Sequence, residues 1–141
     1  AVTPEVEDDE NEAIEVVTPA TYYLKNGKHY IVYEEVVEGT SGVIKNRIKI
    51  NGDECVEIVK SGLSNSHMIF EKNKKNQTFY KTPYGQMLIG VNTRHLQVDF
   101  EEDKIAVQID YELDVNHEPM ADCKIRMNIV SKDSGKFSVL S

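Results

Sequence analysis

Four histidines, His29, His67, His95 and His117, are the side chains best suited to metal binding or acid–base chemistry, and they stand on four separate segments. None falls in an HxH or HxxxH arrangement. With Cys123 added as a ligand, a tetrahedral zinc site would still need a coincidence of folding. No metal and no cofactor is expected. Ser61 and Ser64 flank Gly62 without a GxSxG elbow or an evident His/Asp pair, so the sequence offers no activated nucleophile. The adjacent carboxylates Glu34-Glu35 and Glu101-Glu102 point to opposite faces if they lie in strands, which reads as solvated acids rather than an acid–base pair. The loop Gly39-Thr40-Ser41-Gly42 lacks both the Walker lysine and a following helix. An enzyme is the least favoured class.

Two clusters suit binding instead. Lys72, Lys74 and Lys75, followed by Phe79 and Tyr80, could hold single-stranded nucleic acid on a β-barrel face. The blander reading is a soluble hairpin tip whose lysines discourage edge pairing. A net charge of −8 and a pI near 5.0 also oppose nucleic acid as a partner. The second cluster is aromatic. The chain has seven Tyr and no Trp, and Tyr22, Tyr23, Tyr30 and Tyr33 crowd into one hairpin. Such side chains either pack with the hydroxyl at a rim or wall a pocket for a partly apolar ligand.

The elements that must position these residues are strands. Short alternating apolar/polar runs recur from Ala20 almost to the end, separated every eight to twelve residues or so by turn signals. Asn26-Gly27 and Asn51-Gly52 predict type I′ hairpins. Further joints fall at Gly39–Gly42, Gly62–Asn65, Lys72–Asn76, Glu101–Asp103, Asn116–Met120 and Lys132–Gly135. Ile105, Val107, Ile109, Tyr111, Leu113 and Val115 alternate with polar residues in the clearest amphipathic strand. Between Gln86 and Phe100 the apolar parity changes from Met87, Ile89 and Val91 to Leu96, Val98 and Phe100. That slip predicts a bulge or bend within Asn92–His95.

The expected architecture is all-β: one antiparallel up-and-down barrel of eight to ten strands, closed because so many uncovered strands must protect two edges. The length suits a single domain over residues 1–141. Seven of the 24 acidic residues fall between Glu5 and Glu15, and all Lys and Arg lie from Lys25 on. Residues 1–13 are therefore expected to be an acidic, poorly ordered segment, a solvated loop or hairpin tip. Cys123 shares parity with Ile125, Met127 and Ile129, whereas Cys55 lies beside Glu57 on a more polar face. A disulfide is not expected, which suits a reducing compartment. No run reaches the length of a membrane span, and no membrane partner is expected.

Specific motifs add to this pattern. Tyr22–Glu35, the Lys60-Ser61-Gly62 tripeptide, Phe70-Glu71, Thr82-Pro83-Tyr84-Gly85, the Met87–Val91 strand, Thr93-Arg94-His95-Leu96 and Ile109–Leu113 occur in an order that resembles the YwiB-like family of small bacterial β-barrel proteins. The resemblance spans roughly Ile14 to Val130. It implies a calycin-like, lipocalin-related barrel of largely Gram-positive bacterial origin and a cytoplasmic home, and it carries no activity with it. The family opens with a clear first strand, while Ala1–Pro4 is too short for a full one, so this strand is expected to be truncated or remade.

The expected function is non-enzymatic binding of a small, partly apolar ligand in or at the mouth of the barrel. Arg47, Tyr84, Arg94 and Tyr111 are the candidate contacts, chosen for their closeness to the Thr-Pro-Tyr-Gly turn, the parity slip and the flanking strands. The alternative is a packed barrel that acts through its outer surface, as a protein-interaction or oligomeric module. An unfilled cavity with inward polar groups favours the first, and a filled lumen with an exposed apolar patch favours the second.

Overall fold

The computed structural model describes residues 2–7, 13–15, 17–63, 65–82 and 84–131. Eleven strands lie among them: β1 (Val2–Glu7), β2 (Ala13–Glu15), β3 (Thr21–Lys25), β4 (Lys28–Val36), β5 (Val43–Asn51), β6 (Cys55–Gly62), β7 (Ser66–Glu71), β8 (Lys75–Thr82), β9 (Gly85–Phe100), β10 (Lys104–Val115) and β11 (Glu118–Val130). Every pairing is antiparallel. The expected all-β meander is met, with nine strands from Thr21 onward. The described residues contain no helix, and so none long and apolar enough to cross a membrane.

The acidic segment contributes the other two strands. Val2, Thr3, Pro4, Glu5, Val6 and Glu7 pair in unbroken register with Ile129 back to Lys124, and β2 pairs back on β1. The expectation of a truncated first strand stopped at Pro4, whereas the strand runs on through the acidic residues to Glu7. Residues 8–12 lie outside the described residues, as does the joint expected at Lys132–Gly135.

Hydrogen bonding resolves into two sheets, β2-β1-β11-β10-β9-β8 and β3-β4-β5-β6-β7. The first strand thus lies beside the last, while consecutive hairpins build the rest. One apolar core joins the sheets. Ile31, Ile48, Ile50, Val56 and Phe70 come from the five-stranded sheet, and Leu96, Ile105, Val107, Ile109 and Ile125 from the other. The Phe70 and Tyr111 rings meet edge to face at 4.9 Å across it.

Turn chemistry explains where the strands end. Asn26 and Gly27 both take positive φ, 53° and 75°, as a type I′ turn requires. Asn116 and His117 do the same at 50° and 71°, so the β10–β11 joint is tighter than the expected Asn116–Met120. At Asn51-Gly52 the hairpin forms, but Asn51 is the last residue of β5 and pairs with Cys55. Only Gly52 of that dipeptide is left-handed, and the connection is a three-residue loop rather than the expected two-residue turn. Gly62 ends β6 at φ 110°, where a Cβ would stand 2.5 Å from the Val43 carbonyl oxygen. No other residue fits that approach without moving backbone.

The parity slip is a β-bulge at Arg94. On β10, Asp110 pairs with His95 and Tyr111 with Thr93, which leaves Arg94 as the extra residue. Val91 and Thr93 are buried before it, Leu96 and Val98 after it, and Arg94 and His95 are exposed between. The bulge keeps both halves of a sixteen-residue strand facing the same core.

Candidate functional site

Alternation places four polar or amphipathic side chains on the inner face of the five-stranded sheet, in one row. Tyr33 pairs with Asn46, Asn46 with Lys60, and Lys60 with Ser66, so the row crosses β4, β5, β6 and β7. Glu35 stands one inward position further along β4. The neighbouring inward rows are apolar but for His29: Ile31, Ile48, Ile58 and Met68, then His29, Ile50, Val56 and Phe70. The interior is thus packed with hydrocarbon at one end and polar at the other.

The polar end is an organised cluster. One oxygen of Glu35, Oε1, accepts from Asn46 Nδ2 at 2.6 Å and from Lys60 Nζ at 2.9 Å. Burial alone would raise the Glu35 pKa, but these hydrogen bonds and the Lys60 charge bring it below the usual carboxylate value. Tyr33 is pushed up to about 12 by burial and by the Glu35 charge, so its hydroxyl keeps its proton. Asn46 is 0% exposed, and its Oδ1 has no protein hydrogen-bond partner. A buried carbonyl in that state costs free energy, so it fits a site that takes a further donor.

Beside this cluster the two sheets part. The hairpin of β7 and β8 is tied at its turn, where Lys74 N donates to Glu71 O and Asn76 Nδ2 to Ile69 O. Further along, the strands diverge around a cavity of about 190 Å³ that reaches Met68, Thr78 and Val91. Sharing His67 and Thr78 with it is a groove of about 700 Å³ lined also by Lys60, Leu63, Phe79 and Tyr80, among others. By register, Asn76, Thr78 and Tyr80 lie opposite Val91, Ile89 and Met87, on the inward face of β8. Leu63 and Phe79 add exposed apolar surface at the rim.

The four residues singled out in the sequence do not converge on this groove. Arg47 lies on the outer face of β5, exposed, paired with Val32 and Val59. Tyr84 is 99% exposed in the β8–β9 turn. Arg94 projects from the bulge and makes an ion pair with Glu112 at 2.7 Å. Tyr111 is buried against Phe70, and burial, with Cys123 beside it, raises its pKa. Arg94 and Tyr111 are near neighbours in the sheet but face opposite ways.

Glu35, Asn46 and Lys60 were missed. Glu35 was read as solvated, yet it faces inward. The signal was parity: Asn46 alternates with Lys45 and Arg47 in step with Ile44, Ile48 and Ile50, and Lys60 keeps step with Val56 and Ile58. The histidines stand on β4, β7, β9 and in the β10–β11 turn. His67 Nε2 lies 2.8 Å from Glu57 on the outer face, and that contact, with Lys49 nearby, lowers the Glu57 pKa. His29 is buried in the core face 2.6 Å from the Tyr22 hydroxyl, and burial lowers its pKa. No disulfide joins Cys55 and Cys123.

Comparison with known proteins agrees with this architecture. Residues 2–127 match the model of a family described as a domain of unknown function, DUF1934. The chain is 32% identical over 114 residues to the uncharacterised beta-barrel protein YwiB of Bacillus subtilis (strain 168), across 80% of this chain and 78% of that protein. It also superposes on the crystal structure of the YwiB protein from Bacillus subtilis with a TM-score of 0.76. That superposition covers 94% of this chain and 89% of the other, at 24% identity, and shows the shared fold. With eleven antiparallel strands among its described residues, its bulged β9 and a family match over most of its length, this chain belongs to the DUF1934 family of YwiB-like β-barrel proteins.

Proposed function

We propose that this chain is a non-enzymatic binding protein for a small, partly apolar ligand, held at the mouth of the barrel in the groove between β7 and β8. The observation that carries the reading is the inward cluster of Glu35, Asn46 and Lys60 beside that groove. A pocket needs an apolar wall and a few fixed polar groups. Leu63, Met68, Phe79 and Tyr80 supply the wall, and the cluster and Thr78 supply the polar groups. The packed interior restricts a ligand to the mouth, consistent with small barrels filled by their own side chains. Kinship with calycins, which the motif order implies, fits a ligand-holding barrel. Arg47, Tyr84 and Arg94 lie outside this groove, and Tyr111 belongs to the core.

Fluorescence titration with N-phenyl-1-naphthylamine, a neutral apolar dye, tests this. Saturable one-to-one binding is expected, weakened at least tenfold by Thr78→Lys at an unchanged melting temperature. Absence of saturation, or equal affinity in Thr78→Lys, refutes a groove site.

A further inference from the structure

We infer that the natural occupant of this groove is an extended peptide segment of neutral or acidic character, held as an added β-strand between β7 and β8. This deepens the binding reading above and rests on it. Among the described residues, β7 forms a backbone ladder with β6 alone and β8 with β9 alone, so each ends its sheet. The two edges face each other across the groove. An edge strand presents main-chain donors and acceptors with no ladder partner. An extended peptide satisfies both rows at once, and side-chain pockets then select its sequence.

Three observations favour a strand over a compact ligand. First, Asn76 Nδ2 donates to the Ile69 carbonyl across the narrow end of the seam at 3.3 Å. A side-chain carboxamide there does what the N–H of an intervening strand would do, so the β7 edge takes amide donors from the seam side. Second, a strand residue fills a cell of about 160 Å³, given its rise, the spacing between strands and the distance between packed sheets. A groove of about 700 Å³ therefore suits a strand of about four residues. Third, none of the lining residues is acidic, and the carboxylates beside Lys60 and His67, Glu35 and Glu57, are already engaged by them, so a peptide Lys or Arg would meet no available carboxylate there. Its inward side chains would lie near Met68, Thr78 and Tyr80, and its outward ones near His67 and Phe79.

The test uses the full chain and an array of acetylated, amidated hexapeptides that alternate Val, Thr or Tyr with Ser or Glu, with a matching Lys-substituted set. Binding of the neutral and acidic members is expected, with at least tenfold loss in the Lys set. N-methylation of alternate amides in one register should abolish binding, and methylation in the other register should leave it. Thr78→Lys should remove it, with Phe79→Asp, at an exposed position, as the second variant should the first fail to fold. If N-phenyl-1-naphthylamine binds and no peptide does, strand addition is wrong and the groove still binds. If neither binds, both readings fall. Peptide binding that is indifferent to N-methylation also overturns strand addition.

Discussion

The two ends of the interior are built from the same strands and differ by one row of side chains. At the packed end, His29, Ile50, Val56 and Phe70 form a row against Ile105, Ile109 and Leu96, nearly all removed from water. At the mouth, Tyr33, Asn46, Lys60 and Ser66 form the equivalent row, and the sheets separate beside it rather than closing. Hydrocarbon at every inward position would have pulled β7 and β8 together over a continuous core. Polar groups in the last row remove that drive, and the hairpin is left tied only at its turn. The packed end holds the fold, and the mouth keeps the gap open.

The largest effect should come from truncating the packed end. Ile48→Ala, at a site 1% exposed, should cost about 2–5 kcal/mol by urea unfolding. Leu63→Ala at the rim, 55% exposed, should stay within about 0.5 kcal/mol. Similar losses at both would mean that the mouth is packed like the core. Next is Asn46→Asp, which exchanges the donor to Glu35 for a second buried carboxylate and should cost about 2–4 kcal/mol at pH 7. Burial and Glu35 would raise the folded pKa of the new acid. The variant's deficit against wild type should therefore grow as pH rises and shrink on acidification; a deficit flat between pH 5 and 8 would contradict the buried cluster.

A smaller, pH-bound effect belongs to His29. Its pKa is lower in the folded protein, so the unfolded chain binds the extra proton first. Its contribution is present above about pH 6.5 and declines as pH falls from there. One group can contribute a slope of at most about 1.4 kcal/mol per pH unit. His29→Phe should flatten the melting profile in that window, and an unchanged profile would assign it to another group. Smallest of all, Arg94→Ala should change stability by less than about 1 kcal/mol, because its ion pair with Glu112 is exposed, and should leave dye binding at the mouth unchanged. A loss of binding there would move the site toward the bulge.

Most of the fold was legible in the sequence because its two strongest signals are local. Alternation assigned faces to β5, β9, β10 and β11, and the parity change within Asn92–His95 marked where β9 must bulge or bend. Asn26-Gly27 needed only the conformational freedom of two residues. Strand β1 was harder, since its partner β11 lies more than a hundred positions away and its acidic residues suggested solvent. The site was less legible for a different reason. Arg47, Tyr84 and Arg94 were chosen as conspicuous polar residues near turns and the slip, but conspicuous exposure is the ordinary state of such side chains. Asn46 was informative because it is polar at an inward parity, and its meaning appears only once Glu35 and Lys60 are seen in adjacent strands. Pairing register, which a single strand does not encode, made the cluster.

Native mass spectrometry of the protein purified from its own host tests the binding mouth most directly. A reproducible added mass that survives gentle ionisation, leaves on denaturation and is absent from Thr78→Lys is the predicted result. Bare chain mass in every preparation, or an adduct that Thr78→Lys retains in full, would contradict a ligand held between β7 and β8.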